Sequence, residues 1–402
     1  MKLWSVAVAY GLWLLALETI FYLVGGDNPN ALQYALLLGF FPMLTQFLVL
    51  GVDPIGLAPS AKFSLVLLLV VLLSYLGNVT GWTPIYYVCD LAFVLGISVM
   101  VAGSPDRRLL RSIAVAASLL LSLLLIYINF TGHYVWGRLT ANGIQPNFWG
   151  TSGLAVALAA LASRRLPVAS FGIGVGVLTI YDAQARGSLT GLLSAVLVLM
   201  LVGGTRLRGP RLIASLLTLG GALIAIMVLP AYLSDAGNFI ANHVLFLNDP
   251  NRGMGTGLTG REGLWRDAIA AWMKAPLLGV GFHQSDQYTE LIGAHNAYLA
   301  TLADMGLCGL AIYSLFLAWS LVAALSIRDP QTRRYVVAFI VGYAMYGLFE
   351  ARAFNIGNPL SLLFLMSAFY ALVDQQRRRA GMMRESVASA SEGPASGRLS
   401  QA

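Results

Sequence analysis

Charge is scarce in this chain. Of its 402 residues only 11% are Asp, Glu, Lys or Arg, while 58% are hydrophobic, and the mean hydropathy is +0.74. Soluble domains carry roughly 25% charged residues, so a water-soluble fold is excluded for most of the chain. Cysteine is scarcer still. Cys89 and Cys308 both fall in apolar runs, which argues against a disulfide framework or a C-x-x-C metal or redox site. Both read as packing residues. Four histidines leave little room for a metal centre. No H-E-x-x-H, D-x-D or P-loop occurs, so the motifs that hold zinc or nucleoside phosphates in that way are missing. The stretch GIGVG at 172–176 lies inside an apolar run and suits close helix approach. No metal, cofactor or nucleic-acid partner is expected.

Long apolar runs are what the chain has instead. A membrane-spanning helix needs about 20 mostly apolar residues. About twelve stretches qualify, at roughly 3–24, 31–50, 62–78, 84–102, 109–130, 147–163, 166–182, 187–203, 211–230, 296–325, 333–349 and 357–373. The opening run, MKLWSVAVAYGLWLLALETIFYLVGG, is too long for a signal-peptide core and lacks a clean cleavage site. It reads as the first span. An all-α polytopic membrane protein is therefore expected. Residues 1–230 would form helices 1–9, and 231–295 a large outer loop. Residues 296–374 would form helices 10–12, and 375–402 a disordered tail.

Basic residues set the orientation. Most of the 25 Lys and Arg fall in one set of loops; Arg138, Arg186, Arg252, Arg261, Arg266, Lys274 and Arg352 do not. Basic loops stay in the cytoplasm, which places both termini there. The net charge of +7 then reflects topology rather than an anionic partner. The exceptions lie on the outer side, where topology does not require them.

The large loop contains LNDPNRGMGTGLTG, then REGLWRDAIAAWMKAP. Thr259 and Glu262 have the spacing of a capping box, and Pro276 ends the helix. Arg261, Trp265, Ala268 and Trp272 recur at helical spacing. Tryptophans suit the membrane–water boundary. An amphipathic helix on the outer surface of the bundle follows.

Polar residues at that boundary are the candidates for chemistry. His295 opens the tenth span, and two readings stand: a helix-capping histidine, or a group that exchanges protons near neutrality. Asn296 beside it is placed to fix the ring or to bind a substrate hydroxyl. Arg186 either pairs with Asp182 four residues earlier or binds an anion. An arginine near the bilayer is a functional candidate, and its fork suits phosphate. Arg261 opposes the dipole of the helix it opens. That placement makes sense if an anion binds there; otherwise Arg261 is a solvated surface charge. Arg252 and Arg266 read more simply as solvated loop charges. Glu18, Asp90 and Asp304 lie within spans and read as buried contacts between helices. Asp304, nine residues past His295, faces away from it.

Four stretches carry a resemblance: RLTANGIQPNFWG (138–150), ARGSLTG (185–191), GREGLWRDAIAAWMKAPLLGVG (260–281) and HNAYLATLADMGLCG (295–309). The last fits H-[NSQ]-x9-G-x-x-[GTY] through His295, Asn296, Gly306 and Gly309. The chain resembles the O-antigen ligase and O-antigen polymerase superfamily of bacterial envelope glycosyltransferases. That resemblance implies a GT-C-like, metal-independent fold in the inner membrane, with its site facing the periplasm. The donor would be a glycan on undecaprenyl diphosphate and the ligase acceptor lipid A-core. His295 would match the family's functional histidine, and Arg186 and Arg261 the arginines that hold the donor diphosphate. Asn296, Arg138, Asn147, Trp265 and Arg266 are further candidates for touching substrate. His283, in GVGFHQ, is off the family position but an alternative base.

Several roles compete. A ligase, a polymerase extending the glycan on its own carrier lipid, and a protein O-oligosaccharyltransferase share the motifs. One large outer loop, instead of two, favours the ligase by analogy. A lipid-glycan transporter would show a polar mid-membrane cavity and broken helices. A scaffold would give His295 and Arg186 nothing to do.

Overall fold

The computed structural model describes residues 2–24, 35–76, 83–202, 261–285, 294–350 and 358–391. The apolar stretch 211–230, Arg252, Thr259 and the Gly-rich connection lie outside these. In chain order the helices are α1 (Lys2–Val24), α2 (Phe40–Leu50), α3 (Pro54–Leu76), α4 (Thr83–Ala102), α5 (Leu109–Thr131), α6 (Pro146–Ala160), α7 (Leu166–Ala183), α8 (Arg186–Val202), α9 (Arg261–Lys274), α10 (Ala297–Leu325), α11 (Pro330–Tyr346) and α12 (Pro359–Ser391). Among the described residues α1, α5, α7 and α10 are long and apolar enough to cross a membrane, and several shorter apolar helices accompany them. Leu48, Leu65, Leu123, Met200 and Leu315 stand exposed on these helices. Exposed apolar surface on this scale marks contact with lipid. The chain is a helical membrane protein.

Helix α6 runs through the middle. Every residue from Trp149 to Ala160 is buried, as expected of a helix apolar on all sides. It packs on α5, α7, α8, α11 and α12. The glycines of GIGVG allow part of this contact: a Cβ on Gly176 would come 2.4 Å from the Gly153 carbonyl oxygen, and one on Gly172 2.7 Å from Ala160 Cβ.

Three features depart from the sequence reading. First, α12 continues to Ser391, past residue 374 where a disordered tail was expected. QQRRRAGMMRES is polar but holds good helix formers, so the last span extends beyond its apolar part. Second, a small hairpin interrupts the all-α pattern. Strands β1 (His133–Val135) and β2 (Arg138–Thr140) pair antiparallel, with Tyr134 opposite Leu139. Trp136 and Gly137 form its turn with φ of 52° and 72°. Two left-handed residues match the twist of the strands. Third, α10 is broken at Gly306, where φ is +64° and ψ −162°.

The break is a joint between two segments. Loop 276–281 docks against it: Leu307 N and Cys308 N donate to the carbonyls of Pro276 and Leu277, at 2.9 and 3.1 Å. In return Val280 N and Gly281 N donate to Ala303 and Asp304, at 2.9 and 3.1 Å. Ser74 Oγ also donates to the Asp304 carbonyl at 2.6 Å. Backbone freed inside a membrane must find such partners. Gly279 and Gly306 permit the docking. Both have positive φ, and a Cβ on either would lie within 2.4 Å of the other segment's backbone. The Asp304 carboxylate accepts from Ser285 N at 3.1 Å, a buried contact that keeps it away from His295.

Cys89 and Cys308 are both unbridged, and Cys89 is exposed instead of packed inside. On a lipid-facing helix a small thiol needs no protein neighbour.

Candidate functional site

The centre of the site is Glu350, which follows the end of α11. Its Oε1 accepts from Asn147 Nδ2 at 2.8 Å and from Arg261 Nη2 at 3.0 Å. Its Oε2 lies 3.4 Å from His295 Nδ1. Asn147 in turn accepts from Arg138 Nη2, and Arg138 Nε donates to the carbonyl of Ala183 at 3.0 Å. Arg138, Asn147, Arg261 and His295, distant in sequence, therefore form one hydrogen-bonded cluster around a buried carboxylate.

The local folding explains how each arrives. Arg138 opens β2, so the hairpin aims it at the seam between α6 and α7. Asn147 sits in the first turn of α6, behind Pro146 at the helix start, a position proline favours. Arg261 opens α9, whose buried face is Leu264, Ala268 and Ala271. That face packs with Val280 and Ala303, which holds α9 on the outer half of α10. His295 has φ of 44°, a left-handed conformation uncommon outside glycine. It precedes Asn296, the N-cap of α10, whose side chain accepts from the amides of Tyr298 and Leu299. Asn296 Nδ2 also donates to Leu348 O at 3.1 Å, and Ala297 N to Gly347 O at 2.7 Å. These bonds fasten the start of α10 to the segment that carries Glu350. Asn296, not His295, is the cap.

Arg186 opens α8. The next residue, Gly187, presses against the acid: a Cβ there would lie 2.6 Å from Glu350 Cγ. One turn on, a Cβ on Gly191 would lie 2.8 Å from Gly342 O of α11. The two glycines of ARGSLTG thus share the face that lets α8 approach α11, with Arg186 at its outer end. Residues at the N-terminal ends of α6, α8, α9 and α10 meet at Glu350. Helix N-termini carry partial positive charge and attract anions. With Arg138 and Arg261 added, the site is electropositive, and Glu350 is its internal counter-ion.

Other candidates fall elsewhere. Arg266 is on the exposed face of α9. Trp265 is half-buried, its indole nitrogen enclosed without a hydrogen-bond partner. Trp272 donates to Pro276 O at 3.0 Å and closes the end of α9. His283 stacks on Tyr87, ring centroids 4.2 Å apart and 8° from parallel, a packing role.

Two residues escaped the sequence reading. Glu350 is one; the other is Tyr346, buried in α11, whose hydroxyl meets Thr151 Oγ1 at 2.7 Å. A signal existed for Glu350. Arginines near a bilayer need a counter-ion, and Glu350 closely follows the helix Pro330–Tyr346.

A family model described as O-Antigen ligase matches residues 171–314. No curated protein matches the chain. The matched segment holds Arg186, Arg261, His295 and Gly306, while Arg138, Asn147 and Glu350 lie outside it. Over that segment, and not beyond it, the chain is similar to the O-antigen ligase family.

Proposed function

We propose that the chain is an O-antigen ligase. It moves a glycan from undecaprenyl diphosphate to a sugar hydroxyl of lipid A-core at the periplasmic face of the inner membrane, without a metal. The observation that carries this reading is the cluster on Glu350, which brings a candidate base and a candidate anion-holder to opposite oxygens of one carboxylate.

The chemistry needs both. The acceptor hydroxyl oxygen attacks the anomeric carbon and forms the new glycosidic bond. The bond from that carbon to the diphosphate oxygen breaks. The hydroxyl proton needs an acceptor, and the diphosphate departs with added negative charge. Glu350 faces His295 Nδ1 as a carboxylate, an acceptor, so Nδ1 donates to it and Nε2 keeps the lone pair that takes the proton. A base held by a third group is a recurring arrangement, and proton transfer of this kind is worth about 10²–10⁴ in rate. Arg261 gives one of its five N–H groups to Glu350 in the cluster. The remainder, with Arg186 and the helix N-termini, stabilise the departing diphosphate. Arg138 and Asn147 brace Glu350, and Asn296 fixes His295. Trp265 and Arg266 lie further along α9, outside the cluster. The lipid tail of the leaving group stays in the bilayer.

The break in α10 resembles the interrupted helices of transporters. Here the freed groups of Ala303, Asp304, Leu307 and Cys308 are bonded to loop 276–281, which supports a structural joint over a substrate pathway.

The test uses full-length protein in nanodiscs with undecaprenyl-diphosphate-linked glycan, with and without lipid A-core, and products read on a gel. Modified lipid A-core, lost in His295→Ala, supports the ligase. Longer glycan on the carrier lipid without acceptor makes the protein a polymerase. No product in either arm, with donor still bound, removes the transferase reading.

A further inference from the structure

A second polar site lies at the other end of the bundle. Asp329 starts α11 and Glu350 follows its end; 17 residues of helix separate them by about 25 Å. Around Asp329 opens a cavity of about 710 Å³, within the range of small-molecule and lipid-headgroup pockets. Arginines from separate elements line it: Arg107, Arg108 and Arg111 at the start of α5, Arg164 and Arg165 between α6 and α7, Arg328 before α11, and Arg378 on α12.

Arg108 has its own partner in Asp106, at 3.0 Å, but acids are too few for the rest. Asp329 is shared by Arg111 at 3.2 Å and Arg164 at 3.0 Å. Asp374 is shared by Arg107 at 3.7 Å and Arg378 at 3.2 Å. Arg165 and Arg328 line the cavity with no acidic partner among the described residues. Positive loops are ordinary on the cytoplasmic side, but topology alone does not require them to converge on one concavity. Its floor is also braced: Arg111 Nε donates to Ala162 O at 3.3 Å, and Gln331 Nε2 to Leu161 O at 2.8 Å.

The opposite wall is apolar. Leu3 and Trp4 of α1, Val115 and Leu119 of α5 and Val168 of α7 form it, and Trp4 and Leu119 are exposed on the bundle's surface. We propose that this cavity binds the phosphate headgroup of an anionic phospholipid from the surrounding bilayer. Guanidinium forks grip the phosphate oxygens, and the acyl chains lie along the Trp4–Leu119 wall. A soluble phosphate has the same headgroup chemistry but no use for that wall. Basic pockets between helices bind anionic lipids in this way.

Full-length protein in detergent is titrated with phosphatidylglycerol, phosphatidylcholine or inorganic phosphate. Bound lipid is read by native mass spectrometry and folding by thermal melting. The expected result is adducts with phosphatidylglycerol, far weaker binding of phosphatidylcholine, and little displacement by phosphate. The double variant Arg165→Gln/Arg328→Gln leaves both aspartate-centred clusters intact. It should weaken phosphatidylglycerol binding by about 30-fold while melting like the parent in phosphatidylcholine. Equal binding of the two lipids, or unchanged phosphatidylglycerol affinity in the double variant, overturns the site. Inorganic phosphate binding as tightly as the lipid overturns the lipid assignment. If the double variant does not melt like the parent, Arg165→Lys/Arg328→Lys must retain lipid binding, or the proposal fails.

Discussion

His295 Nδ1 lies 3.4 Å from Glu350 Oε2, so the imidazole and the carboxylate face each other; in the proposed reaction they are a base and the group that orients it. Glu350 is then a positioning residue. Glu350→Gln should lower turnover by roughly 10²-fold or more, with a smaller effect on donor affinity. Glu350→Asp should recover part of the loss. Because Glu350 also neutralises the partly buried Arg261, Glu350→Ala should destabilise the fold by about 3 kcal/mol. Steady-state kinetics beside melting curves separate the two effects. Normal turnover in a folded Glu350→Gln protein would show that the contact does not orient the base.

His295→Ala should reduce transfer by about 10²–10⁴ at saturating donor and acceptor and leave donor binding in place. The check is single-turnover transfer alongside a direct donor-binding measurement. A rate within two-fold of the parent (about the scatter of such assays) excludes the role of base.

Arg186 and Arg261 are expected to hold the donor diphosphate. A charge-assisted hydrogen bond is worth roughly 1.5–3 kcal/mol, so Arg186→Ala should weaken donor handling about ten- to a hundred-fold. Arg261→Lys keeps a charge against Glu350 but loses the fork, and should show a similar fall without unfolding. Unaltered donor dependence in both folded variants sinks the clamp.

Gly306→Ala and Gly279→Ala should each destabilise the protein by more than about 2 kcal/mol. The left-handed conformation alone costs about 1–2 kcal/mol for a residue with a Cβ, and the added carbon meets opposing backbone at 2.4 and 2.3 Å. Gly174→Ala is the control, since nothing lies within 4 Å of its added Cβ. Thermal melting in one detergent compares the three; equal melting temperatures would mean the joint at Gly306 yields easily.

Asp329 gives a pH signature. Burial alone would raise its carboxyl, but hydrogen bonds from Thr332 and the charges of Arg111 and Arg164 outweigh burial and hold it below the usual range. A carboxyl lowered in the folded state stabilises above its unfolded pKa of about 3.9, and that stability fades as pH falls further. The melting temperature should therefore drop below about pH 4, and drop less steeply in Asp329→Asn. Parallel pH profiles for the two proteins contradict the assignment.

The helices were legible because a spanning segment announces itself by length and apolarity, and α1, α5, α7 and α10 begin and end near the expected residues. Arg138, Asn147, Arg261 and His295 were recognisable as motif residues, but their meeting was not. The contact that joins them runs through Glu350, more than fifty positions from the nearest of them, and no local pattern reports it. The break in α10 was hidden for a different reason. Both halves are apolar, so hydropathy runs smoothly across Gly306. The hairpin escaped because its Trp136–Gly137 turn lacks the Asn-Gly or Asp-Gly pair that marks such turns. The continuation of α12 escaped because composition separates greasy from polar, and a helix can be either.

The joint at Gly306 divides α10 into pieces with different allegiances. Its outer piece is stitched to loop 276–281 and shares an apolar seam with α9 through Ala268, Ala271 and Ala303. His295 stands at the mouth of that piece and Arg261 at the tip of α9. The two side chains therefore ride on one plate that ends at a glycine. Because Asn296 and Ala297 also bond to Leu348 and Gly347, the plate is tied to the segment that carries Glu350, and the spacing of all three groups is set by one joined unit.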